Sequence, residues 1–135
     1  EGEGEGEGEG EGEGEGEGEG EGEGVFTSTC DADWAGCTEA DFDANDFTAE
    51  TGTVNISMVA FANYSPACVK LKVGQTVSIA ATSGHPFKKV CAEDTVMDSQ
   101  DGSTSDVTFT LTETGYYNYV CEFHSSMKGN IMVVH

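Results

Sequence analysis

Residues 115–134, GYYNYVCEFHSSMKGNIMVV, carry the strongest pattern in the chain. Tyr117, Tyr119 and Cys121 recur at every second position, and Ile131 and Val133 do the same further on. A period of two is the mark of a strand with one buried face. Between the two alternating runs come a cysteine, a histidine three residues on and a methionine three beyond that. The segment therefore reads as strand, short loop, strand, with a thiolate, an imidazole and a thioether gathered in the loop.

The same alternation extends upstream. Val54, Ile56 and Met58 share one parity, as do Val69, Leu71 and Val73, with Lys70 and Lys72 between them. Gly74-Gln75 turns the chain into 76–81, where Val77 and Ile79 share a face. Val107, Phe109 and Leu111 repeat the pattern before the turn at 112–115, and no stretch carries a 3.6-residue period. About seven or eight short strands in roughly 100 residues predict an all-β Greek-key β-sandwich over residues 53–135.

Residues 25–52 are acidic, lack a clean apolar period and contain Cys30 and Cys37, which predicts an irregular cap. Asp31, Asp33 and Gly36 resemble the start of a calcium loop, but Ala35 and Phe42 stand where two of its ligands belong, so calcium is not expected. Asn55-Ile56-Ser57 and Asn63-Tyr64-Ser65 are glycosylation-type triplets of the kind common by chance. Residues 1–24 are twelve Glu-Gly repeats with nothing apolar to bury, and read as a linker, tag or filler. The sharper alternative is a strand with a glutamate face and a glycine face that stacks between subunits in a homo-assembly.

Composition excludes several classes. Residues 25–135 carry 14 acidic side chains against five lysines, and the chain has no arginine, so nothing tracks a phosphate backbone and nucleic acid is not an expected partner. No apolar run approaches the ~18 residues of a membrane span. The chain opens on the repeat, not on a charged-then-apolar leader, so the expectation is a leader removed or replaced.

Cysteine arithmetic points to the chemistry. The five cysteines are an odd number, and the one left over is Cys121, with His124 and Met127 beside it in the loop. His85 lies 36 residues before Cys121, at the start of another predicted strand, where it brings a second imidazole to the same end of a sandwich. Two imidazoles, one thiolate and a weak thioether suit copper, which they hold in both redox states with little rearrangement. Zinc is the competitor, but methionine is a poor zinc ligand. Cys30, Cys37, Cys68 and Cys91 are an even set that implies an oxidising, extracytoplasmic compartment. Their pairing is not legible in the sequence. Proximity favours Cys30 with Cys37, and the strand ends favour Cys68 with Cys91.

These motifs resemble the cupredoxins, the blue copper family of plastocyanin and amicyanin. The spacing C-x2-H-x2-M followed by KGNIMVV is similar to amicyanin, and YSPACVKLKVGQTV (64–77) is similar to the family's entry into its core strands. The likeness spans residues 53–135. It implies one type 1 copper ion with His85, Cys121, His124 and Met127 as ligands, cycling between Cu(II) and Cu(I) without bond chemistry. It further implies electron exchange at His124, with Pro86, Phe87 and Phe123 as an apolar docking patch, and a basic redox partner such as a cytochrome or a reductase. A copper carrier and a copper-binding subunit of an extracellular assembly are the competing readings. With three histidines in the chain, a multi-histidine oxidase cluster is not expected.

Overall fold

Among the described residues eight strands form, close to where alternation places them. They are β1 (Val54–Val59), β2 (Asn63–Ser65), β3 (Cys68–Lys72), β4 (Thr76–Ile79), β5 (Phe87–Cys91), β6 (Val107–Thr110), β7 (Gly115–Cys121) and β8 (His124–Val134). The computed structural model describes residues 30–59, 62–91 and 95–135. The Glu-Gly repeat, and with it the stacking expectation, lies outside the described residues.

Two four-stranded sheets pack face to face, in the orders β2-β1-β4-β6 and β3-β8-β7-β5. The β1–β4 and β3–β8 pairs are parallel and the remaining pairs antiparallel. The chain switches sheets repeatedly between sequential strands, which makes the sandwich a Greek key. Val54, Ile56, Val69, Leu71, Val77, Ile79, Val107, Phe109, Tyr117, Tyr119, Ile131 and Val133 all point between the sheets and are buried. Each such side chain contributes about 1.5–3 kcal/mol of hydrophobic stabilisation. Tyr117 also donates its hydroxyl to the Glu113 carbonyl at 2.7 Å, which fastens the turn that feeds β7.

The acidic cap is more ordered than its composition suggests. A single 3₁₀ turn, Trp34–Gly36, precedes a helix, α1 (Glu39–Ala44). Thr38 caps α1: its hydroxyl accepts the Asp41 N–H, and the Asp41 carboxylate accepts the Thr38 N–H. The helix departs from the irregular cap expected there, because six residues are too few to show a helical period. Phe42 on α1 is buried with Cys37 and Cys68, against Tyr116 and Met132. The chain then runs beside β3, with the Phe47 N–H donating to the Lys70 carbonyl and the Lys70 N–H to the Asn45 carbonyl. The Lys70 ammonium meets Asp43 at 2.8 Å. An edge strand that would template aggregation is thereby covered.

The disulfides correct the expected pairing. Cys30 is bonded to Cys91 and Cys37 to Cys68. Cys91 ends β5 and Cys68 begins β3, the two edge strands of one sheet, so a bond between them would have to cross the sheet's width. Residues 30–37 make that crossing instead, running over the outer face as a strap fixed at both edges.

Gly129 is required by close packing. A β-carbon there would lie 2.1 Å from Tyr119 Cζ and 2.3 Å from its hydroxyl oxygen. Tyr119 is fully buried and has nowhere to retreat. We expect Gly129→Ala to lower the unfolding free energy by roughly 2–3 kcal/mol, read from thermal or denaturant melts. An unchanged melt would mean that the ring can move.

Candidate metal centre

Cys121 ends β7 and His124 begins β8, and the two are paired across a hairpin whose connection is only Glu122-Phe123. Below them the ladder slips: Val120 pairs with Lys128, leaving Ser125, Ser126 and Met127 as extra residues in the bulge. His85 arrives from a tight turn, in which the Thr82 N–H donates to the His85 carbonyl and the His85 N–H to the Thr82 carbonyl. The next residue, buried Pro86, accepts the Glu122 N–H at 3.0 Å. Phe87 then pairs with Cys121 in the β5–β7 ladder. Backbone hydrogen bonds on both sides of the histidine thus fix it to the strand end that carries the cysteine.

Three of the four residues singled out in the sequence converge as side chains. His85 Nδ1 is 3.6 Å and His124 Nδ1 3.4 Å from the Cys121 sulfur. The two imidazoles stack with centroids 4.6 Å apart and planes 25° from parallel. Cys121 is buried, His85 half-buried and His124 exposed. All three ligand atoms lie within 4.8 Å of one another, the one such grouping among the described residues. An imidazole nitrogen at about 2.0 Å and a thiolate at about 2.3 Å from one ion stand roughly 3.5–3.7 Å apart, so the observed spacing accepts a cation with shifts of about a few tenths of an ångström. Met127, the fourth, is fully buried in the same core cluster as Cys121, on the inward parity of β8 shared by Gly129, Ile131 and Val133. His135 is at the exposed C-terminus.

The floor of the site is aromatic. Phe87 and Tyr119 lie 5.7 Å apart, and Tyr64 from β2 meets Tyr119 edge-on at 4.8 Å. Neither tyrosine hydroxyl has a hydrogen-bond partner among the described residues. Burial pushes the Tyr64 hydroxyl well above its usual range, and the negative charge of Cys121 adds to the effect. Tyr119 is raised too, by burial first and then by Tyr64. The alternation places Tyr119 on a strand face, but nothing in the sequence places Tyr64 near the site, since a tyrosine in a three-residue strand carries no signal of what lies above it.

The apolar docking patch needs correction. Phe87 is fully buried and Pro86 is buried, whereas Phe123 is 63 % exposed beside His124. Phe87 begins β5 on its inward parity, so its ring belongs to the core.

Comparison with known proteins agrees with this geometry. Residues 40–134 match the family model described as copper binding proteins, plastocyanin/azurin family. A plastocyanin from Daucus carota is 32 % identical over 83 residues, which cover 52 % of this chain and 86 % of that protein. Among solved structures, a pseudoazurin from Sinorhizobium superposes with a TM-score of 0.48 at 22 % identity, covering 62 % of this chain and 74 % of the other. A reduced amicyanin variant gives 0.45 at 24 %, covering 64 % and 88 %. A copper-containing nitrite reductase from Thermus scotoductus gives 0.47 at 23 %, where the match spans 64 % of this chain but only 23 % of that enzyme. With its family match running from the cap helix to the end of β8 and its thiol and two imidazoles converging at one end of the sandwich, the chain belongs to the plastocyanin/azurin family of copper-binding proteins.

Proposed function

We propose that the chain is a one-electron carrier and not an enzyme, holding a single type 1 copper ion between His85, Cys121, His124 and Met127. The observation that carries this reading is the convergence of one thiol and two imidazole nitrogens within 4.8 Å, built by backbone hydrogen bonds at both ends of the ligand set. Copper in such a set supplies a Cu(II)/Cu(I) couple with no substrate bond made or broken. The chain's residues divide the remaining work. Cys121 supplies the buried thiolate, the aromatic floor excludes water beneath it, and Met127 supplies a buried thioether from the inner face of β8. His124 is exposed and its neighbour Phe123 is the most exposed large apolar side chain among the described residues, so this edge is where a partner would exchange electrons.

The acidity of the domain favours a basic redox partner, attracted through long-range charge. Two disulfides favour an extracytoplasmic location, because such bonds persist where the surroundings oxidise.

Copper loading followed by visible absorption and electron paramagnetic resonance tests the reading; a colourless copper(II) form would reject it. Cys121→Ser is expected to abolish the intense thiolate-to-copper band while the melt of the metal-free protein stays within about 1 kcal/mol of the parent, because the core of the sandwich does not depend on that sulfur. A blue band that survives this change would exclude Cys121 as the ligand. Met127→Leu is expected to keep a blue site and raise its potential, since loss of a soft axial donor destabilises Cu(II) more than Cu(I). Voltammetry showing no change would remove Met127 from the set.

A further inference from the structure

The strap of residues 30–37 does more than staple two edges. Trp34 and the backbone of residues 31–34 make polar contacts with two short runs of the sheet. From the β7 run, the Asn118 amide donates to the Asp31 carbonyl and its oxygen accepts the Asp31 N–H. The neighbouring Tyr119 carbonyl accepts the Trp34 indole N–H at 2.9 Å. From the β8 run, the two N–H groups of the Asn130 amide are shared among the carbonyls of Asp31, Ala32 and Trp34, 3.0–3.3 Å away, and the Lys128 ammonium sits 4.6 Å from the Trp34 ring centre. Asn118 and Asn130 are themselves a cross-strand pair joined amide to amide at 2.9 Å.

Those runs are the last regular rungs before the ladder slips into the bulge of Ser125, Ser126 and Met127. Asn118 and Asn130 are 1 % and 0 % exposed. If the strap lifted, their amides would lose their partners on the outer face, a penalty carried by the rungs that support the ligand loop.

We propose that Trp34, Lys128 and Asn130 are positioning residues for the metal site: the strap braces the β7–β8 rungs from outside and holds the loop bearing Cys121, His124 and Met127 in its metal-ready arrangement before any ion arrives. The proposal rests on the metal-site reading above, but its first readout does not require a metal. The disulfides fix only the strap's ends. The contacts to Asn118, Tyr119, Lys128 and Asn130 fix its middle, which lies over the strands whose ends meet at the site.

Four variants of the full chain separate bracing from general stability. Trp34→Phe keeps a smaller ring under Lys128 and removes the N–H given to Tyr119. Lys128→Met removes the cation, whereas Lys128→Arg retains it. Asn130→Leu removes the amide bonded to three strap carbonyls. In the metal-free protein, hydrogen exchange at residues 121–128 should rise roughly fivefold in Trp34→Phe, as expected for one lost hydrogen bond, and further in Asn130→Leu, while β1, β4 and β6 keep the parent's protection. Lys128→Met should rise about two- to threefold and Lys128→Arg should not. With copper bound, the Cu(II) hyperfine splitting and charge-transfer maximum should shift in the same order. Exchange that rises uniformly over both sheets, or local exchange that does not move in Trp34→Phe, would reduce the strap to a staple and overturn the proposal; Trp34→Phe decides the matter even if Asn130→Leu fails to fold. Variants that open the loop as described, in a protein whose parent shows no blue band with copper, would instead remove the type 1 copper reading and leave the brace standing.

Discussion

The β7–β8 ladder is the constraint on which the rest of the molecule depends. Its regular rungs, from Gly115 with Val133 to Val120 with Lys128, set which side chains of both strands face inward. Because a strand's side chains alternate strictly, that one register places Tyr117, Tyr119 and Cys121 on the core side of β7 and Met127, Gly129, Ile131 and Val133 on the core side of β8. The slip above those rungs is equally decisive. It brings His124 opposite Cys121 while leaving enough chain for Met127 to turn inward. A shift of one residue in the pairing would send the thiol to the outer face and Lys128 into the core.

Each neighbouring element consolidates that ladder. Gly129 leaves room for the Tyr119 ring, so the site rests on a packed aromatic layer and not on a gap. The β5 strand brings Phe87 beneath Cys121 and His85 beside it, and the Glu122 to Pro86 hydrogen bond holds the two loops together. Outside, the strap satisfies two buried asparagines that a bare β-sandwich would expose to water. The hydrogen bonds, the cation over the indole and the two disulfides together resist lifting of a segment whose composition alone would leave it loose. Among the described residues the acidic side chains stay out of the interior altogether, which is why a chain so far from neutral can still close around an apolar core.

Alternation was legible wherever a strand had one buried and one wet face, as at Val54 and Ile56 or Val69 and Leu71. It also located the ligand loop, because a cysteine, a histidine and a methionine at three-residue spacing after an alternating run form a local pattern. It failed where burial came from a distant segment. Asn118 and Asn130 look like solvent-facing residues of β7 and β8 and are buried only because the strap covers them. Phe87 read as a surface aromatic next to a ligand because its depth depends on how β5 pairs with β7. Met97 gave no sign of its place in the core, since the short 3₁₀ helix at 95–100 has no period to read.

The period of the strands, the chemistry of the ligands and the odd cysteine are properties of residue type and short-range spacing, and so are written in the chain itself. Which cysteines pair, which aromatics line the site and where the acidic cap lies depend on how the sheets assemble. Disulfide partners must bring their α-carbons to about 5.5 Å, as Cys30 with Cys91 and Cys37 with Cys68 do at 5.5 and 5.8 Å, and that proximity is set by sheet order and not by separation along the chain. Cys30 and Cys37 are seven residues apart and stand at opposite edges of a four-stranded sheet. Nothing local encodes that distance; it exists only once β3, β8, β7 and β5 have assembled in that order.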